Sequence, residues 1–156
     1  MDFMQIQIRF PELMDYVLLN LVEMARSKKK TIQNDVPEDT LFFADTHMSQ
    51  VIFRNLIINS KKFTNEGGEV RLSSQQKDNG QLIFSISDNG IGMSPETLST
   101  LFRINFKNNR PGTNGEASSG LGLLLCKEFI EKHGGQIWAE SEEETGSTFS
   151  FTFTLD

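Results

Sequence analysis

The sequence is short of most features that mark secreted, membrane-spanning or metal-clustered proteins. One cysteine, Cys126, in 156 residues excludes an internal disulfide framework. The two histidines, His47 and His133, make with that single thiol too small a donor set for a structural zinc site. Nowhere does an apolar run approach the roughly 20 residues of a membrane span. The N-terminus MDFMQIQIRF also lacks the charged start and long apolar centre of a secretory signal. The expected setting is therefore cytoplasmic, which leaves room for a membrane anchor elsewhere in a longer protein. Positive charge is scarce as well. Fifteen Lys and Arg against 21 Asp and Glu give a net charge of −6, which argues against a broad basic surface for nucleic acid or anionic lipid. An anionic ligand has to be held by local geometry. A chain of this size buries roughly 68–70% of its unfolded surface, enough for one core, so a single domain over 1–156 is expected.

What is present is strong patterning. Gln5–Phe10 alternates polar and apolar residues with the period of a strand. Pro11 opens a helical pattern through about Lys28, with Leu13, Val17, Leu21 and Met24 on its apolar stripe and Lys28–Lys30 at its end. Short strands follow at about 31–36 and 41–44. A second helix runs from about Thr46 to Phe63, capped by Asp45 or Thr46 and stopped before Gly67-Gly68. Asp78-Asn79-Gly80 joins β-runs at about 69–77 and 81–87 into a hairpin. A short helix follows Pro95, another helix spans about Leu121 to Lys132, and strands at about 136–141 and 147–154 close the chain. The pattern predicts an α/β (α+β) two-layer sandwich, with a mixed, largely antiparallel sheet of about five strands and three helices on one face. The loop at about 104–119 is unusually long for a compact domain, and such loops are often functional.

Three features point to chemistry. Six of twelve glycines fall between 90 and 122, at Gly90, Gly92, Gly112, Gly115, Gly120 and Gly122. Clustered glycines near a helix start can form an amide nest for phosphate, or they can simply loosen a loop. No glycine is followed by lysine, and Gly120-Leu121-Gly122 lacks a third glycine, which excludes P-loop and dinucleotide fingerprints. On the second helix, Asn55, Asn59 and Lys62 share one face beside the apolar Ile52, Leu56 and Phe63. This face is either solvated or suited to a magnesium triphosphate, since amide oxygens ligate Mg²⁺ and an ammonium offers phosphate a point charge. Finally, Asp88 stands where the apolar strand Leu82–Ile86 runs out into Asn89-Gly90-Ile91-Gly92-Met93. That arrangement is either a second turn or a purine pocket whose carboxylate accepts the amine of adenine and disfavours the keto oxygen of guanine.

In this order the segments resemble the catalytic and ATP-binding domain of sensor histidine kinases, whose superfamily includes gyrase, mismatch-repair ATPases and heat-shock chaperones. Asn55–Thr64 (NLIINSKKFT) resembles the N box, Asp88–Met93 (DNGIGM) the first glycine box and Ser119–Leu123 (SGLGL) the second. His133–Trp138 and Thr145–Phe149 resemble the closing segments. The likeness covers roughly Phe3 to Leu155. It implies that Asn59 gives an oxygen to Mg²⁺, that Lys62 approaches the phosphates, and that Asp88 receives the adenine amine, with Gly90 in the same box and Gly92 and Thr148 helping through water. Gly120, Leu121 and Gly122 would start the helix beneath the phosphates, and the 104–119 loop would be the ATP lid. Superfamily members that hydrolyse ATP usually carry Glu where Asn55 stands, and an amide cannot take a proton from water as a carboxylate can. The sequence departs from the family at Ser60, where Ala is common and the small-for-small change should be harmless. It departs again at Leu101–Phe106, which puts three residues between its phenylalanines where the F box usually has two; the lid cation is then Lys107 or Arg110.

The resemblance implies a protein histidine kinase domain that binds Mg·ATP and passes the γ-phosphoryl group to a histidine on a separate helical dimerisation domain. A response-regulator receiver domain would follow in the pathway. Neither His47 nor His133 has the family's phosphoacceptor context. The alternatives are a non-catalytic module that keeps the fold, and an ATP-hydrolysing or serine-directed kinase relative.

Overall fold

The computed structural model describes residues 3–19, 21, 31–102 and 121–155. In chain order the elements are β1 (Gln5–Arg9), α1 (Phe10–Leu19), β2 (Thr31–Asn34), β3 (Leu41–Asp45), α2 (Thr46–Lys62), β4 (Glu69–Gln76), β5 (Gln81–Asp88), α3 (Pro95–Thr100), α4 (Leu121–Lys132), β6 (Ile137–Glu142) and β7 (Gly146–Thr154). Every segment read as a strand joins one sheet. The sheet therefore has seven strands where about five were expected, in the order β1-β3-β7-β5-β4-β2 with β6 also paired to β7. The β2–β4 pair is parallel and the other pairs are antiparallel, so the sheet is mixed, as the pattern predicts.

Local chemistry sets the boundaries. The β4–β5 hairpin closes at Gly80, whose φ of 81° is costly for any residue with a Cβ, while Asn79 Oδ1 accepts the Gln81 N–H. Asp45, the first of the two cap candidates, caps α2: its Oδ1 accepts the Met48 N–H at 2.9 Å. Phe10 begins α1 rather than ending β1. Past Leu19 the helix expected to reach Lys28 lies outside the described residues, except for Leu21, which is buried in a turn.

Alternation along the strands decides which face is covered. Leu82, Phe84 and Ile86 of β5 and Phe149, Phe151 and Phe153 of β7 are buried against Phe10, Leu13 and Val17 of α1, Ile52, Phe53 and Leu56 of α2, and Leu123, Cys126 and Ile130 of α4. Phe84 meets Phe53 edge-on at 5.1 Å and stacks on Phe10 at 5.4 Å. Each such fully buried side chain contributes roughly 1.5–3 kcal/mol. The opposite face is polar, and across it Ser85 Oγ pairs with Ser150 Oγ and Ser87 Oγ with Thr148 Oγ1, both at 2.9 Å.

Candidate functional site

The site is built around α2. Its sheet-facing side carries Leu56, and a quarter-turn away stand Asn55, Asn59 and Lys62, all half-buried. Asn55 Nδ2 donates to the Val51 carbonyl at 2.9 Å. That bond turns Oδ1 toward Gly122 in the first turn of α4, where an added Cβ would stand 2.9 Å from Oδ1. Asn59 makes no side-chain hydrogen bond among the described residues. The adjacent lysines are not equivalent. Lys61 is fully buried and its Nζ donates to the Leu21 carbonyl at 3.2 Å, tying α2 to the chain just beyond α1. Lys62 is the one on the Asn55–Asn59 face.

At its other end α2 meets the glycine segment. The Phe63 carbonyl accepts the Ile91 N–H at 2.9 Å, and a Cβ on Gly90 would collide with that carbonyl. Asp88 ends β5 here, its Oδ1 accepting the Gly90 N–H at 3.0 Å. The β6–β7 hairpin closes over the same segment: the Glu144 N–H donates to the Ile91 carbonyl, and the Met93 N–H donates to Ser141 Oγ at 2.7 Å. Gly92, at φ 66°, lies where a Cβ would strike the Glu142 carbonyl.

The strand register bears on one sequence expectation, the place given to Thr148. Asp88 pairs with Ser147, and Thr148 pairs with Ser87. Phe149, Phe151 and Phe153 face the helices, so period-two alternation turns Ser147 to their side and Thr148 to the polar face, where its hydroxyl meets Ser87. Thr148 therefore does not share the face of Asp88. The hydroxyl on the Asp88 face is that of Ser147, buried with its Oγ 2.8 Å from Ser141 Oγ. The same alternation in STFSFTFT would have identified it. Gly120, Lys107, Arg110 and the 104–119 loop lie outside the described residues. Leu121 begins α4.

Two further groups are committed elsewhere. Burial pushes the Cys126 thiol up to about 12, so it is no nucleophile at neutral pH. His133 uses both ring nitrogens: Nδ1 pairs with the Phe129 carbonyl at 2.7 Å, and Nε2 accepts the Asp45 N–H at 3.0 Å. His47 is exposed at the start of α2. Among the described residues no group of three His, Cys, Asp or Glu side chains could hold a metal, and no helix is long and apolar enough to cross a membrane.

Residues 44–156 match the model of the family described as histidine kinase-, DNA gyrase B- and HSP90-like ATPase. The chain is 33% identical over 152 residues to the adaptive-response sensory kinase SasA of Crocosphaera subtropica, covering 97% of this chain and 39% of that protein. It is likewise 33% identical over 150 residues to SasA of Synechococcus elongatus, covering 96% and 38%. Among solved structures, a nucleotide-free form of the catalytic domain of the histidine kinase ThkA matches with a TM-score of 0.79 and 27% identity, over 99% of this chain and 97% of that one. The chain belongs to the histidine kinase-, DNA gyrase B- and HSP90-like ATPase family, and within it is a catalytic domain of the histidine-kinase type. It spans about two fifths of the length of the curated relatives it matches.

Proposed function

We propose that this domain binds Mg·ATP between α2, α4 and the glycine segment and transfers the γ-phosphoryl group to a histidine on a separate helical dimerisation domain. A response-regulator receiver domain would accept the phosphoryl group next. The observation that carries the reading is the reach of the polar face of α2. It touches Gly122 of α4 at Asn55 and ends at the Phe63 carbonyl that anchors the loop after Asp88.

In this reading Asp88, with Gly92 and Ser147 beside it, accepts the adenine amine, a contact that guanine cannot make. Lys62 pairs with phosphate, and the start of α4 offers backbone N–H groups to the same charge. The donor set suits Mg²⁺, which keeps most of its water and phosphate ligands and needs only one or two oxygens from a protein; Asn59 would supply an amide oxygen. Bound there, the cation would neutralise charge on the phosphate oxygens. The acceptor imidazole nitrogen would attack the γ-phosphorus as the bond to the bridging oxygen breaks; that oxygen keeps the electron pair and leaves as part of ADP, and the ring's other nitrogen gives up its proton to water. The protein's part is positioning and charge stabilisation. Asn55 suits this division of labour, because its amide orients without abstracting a proton from water.

The test is calorimetry of ATP and GTP, with and without Mg²⁺, on the chain and on Asp88→Asn. Adenine-selective, Mg²⁺-dependent binding that weakens by about 1–3 kcal/mol in the variant is expected, the cost of a lost buried or charge-assisted hydrogen bond. Equal affinity for ATP and GTP would remove Asp88 from base recognition. Absence of binding at millimolar nucleotide would favour the non-catalytic module.

A further inference from the structure

The N-terminal segment, the cap of α2 and the end of α4 meet at one point. Asp45 is buried there and uses both carboxylate oxygens, Oδ1 on the Met48 N–H of α2 and Oδ2 on the Met4 N–H ahead of β1, each at 2.9 Å. Its own N–H donates to His133 Nε2. A nitrogen that accepts an amide N–H carries no proton, so the proton sits on Nδ1 and is donated to the Phe129 carbonyl of α4. The imidazole is then gripped edge-on by two rings, Phe3 at 4.8 Å and Phe153 of β7 at 5.1 Å. Lys132 Nζ lies 5.5 Å from the centre of the Phe3 ring.

The two helices joined here are the two that carry the proposed nucleotide site. Asp45 caps α2 ten residues before Asn55, and His133 directly follows α4, whose other end holds Gly122 against Asn55. One route from Phe3 and Met4 to the site runs through the cap and the imidazole.

We propose that His133 is a positioning residue: through Asp45 it sets the seat of α2 against α4, so that the placement of Phe3 and Met4 governs how tightly the site holds nucleotide. The inference rests on the nucleotide reading above. A helix whose cap is displaced loses its first-turn hydrogen bonds, and a rigid helix carries that displacement along its length to Asn55.

Three variants test it. His133→Phe keeps the ring packing and removes the acceptor. His133→Gln keeps an acceptor oxygen at the reach of Nε2. Phe3→Ala removes the ring beside the imidazole. ATP affinity is measured by calorimetry at a temperature where near-UV circular dichroism shows each variant fully folded, and amide hydrogen exchange is followed in Thr46–Ser49. His133→Phe and Phe3→Ala are expected to bind ATP roughly 3–10-fold more weakly, within the range of couplings carried by packed contacts. Both are expected to exchange faster in that turn, with His133→Gln restoring most of both. A lowered melting temperature with unchanged affinity in the folded variants would make His133 merely structural and overturn the proposal. If the unaltered chain bound no ATP, the nucleotide reading would fail, and unchanged exchange in Thr46–Ser49 would overturn the joint independently.

Discussion

Gly122 of α4 and Asn55 of α2 approach so closely that a Cβ on the glycine would lie 2.9 Å from the amide oxygen of the asparagine. Asn55 is not free to yield, because its Nδ2 is bonded to the Val51 carbonyl. Gly122→Ala should therefore push α4 from α2 or break that bond. The expected result is at least a tenfold loss of phosphotransfer to a supplied helical histidine domain, with a change in melting temperature of only a few degrees. Transfer at the unaltered rate would show that the contact is not part of the site.

The strand register separates two neighbouring hydroxyls. Thr148→Val should cost at most about 1 kcal/mol of stability through the Ser87 hydrogen bond and leave ATP affinity unchanged. Ser147→Ala should weaken ATP binding by about 0.5–1.5 kcal/mol, the usual worth of one hydrogen bond. Calorimetry on both variants checks the pair, and the reverse pattern would return the role to Thr148.

Ser60 and Ser49 lie on the sheet-facing side of α2, each with a buried hydroxyl lacking a hydrogen-bond partner among the described residues. Such an orphan costs about 1–3 kcal/mol in lost hydration, and alanine is also the better helix former. Ser60→Ala is thus expected to raise stability by about 1 kcal/mol in urea unfolding. A loss of stability would mean that the hydroxyl is satisfied by buried water. A gain in stability would show that this small-for-small exchange, expected to be harmless, carries a cost.

Asp45 gives the domain an acid limit. Burial alone would raise its carboxyl, but the N–H bonds from Met4 and Met48 lower it, and the net result lies below 3.8. With the folded value depressed, its stabilisation is complete above the ordinary carboxylate range and is lost as pH falls through and below 3.8. Asp45→Asn should lower stability at neutral pH and flatten the acid limb of the unfolding profile below about pH 4. An unchanged slope would assign acid unfolding to other carboxylates.

Much of this architecture is legible in the chain, and the parts that are not share a cause. The Asn79-Gly80 hairpin, the STFSFTFT alternation and the stripe of Asn55, Asn59 and Lys62 are local patterns, fixed by turn chemistry and by the periods of strand and helix. The opposite facing of Ser147 and Thr148 is equally legible, since it follows from the parity of Phe149. What the sequence hides is contact between distant segments. Nothing around His133 announces the amide of Asp45, 88 residues away, and nothing in Ser60-Lys61-Lys62 says which side chain the core will enclose. The strand count fell short for the same reason: β1 and β2 are edge strands whose membership depends on partners elsewhere in the chain.

The unlike fates of Lys61 and Lys62 give the domain a built-in clock. Lys62 is half-buried on the Asn55–Asn59 face, and in the nucleotide reading bound ATP would slow its labelling by an amine-reactive reagent. Lys61, enclosed against the Leu21 carbonyl, is reached when that enclosure opens. Two neighbouring residues, resolved in one peptide by mass, would thus time ligand exchange and unfolding separately.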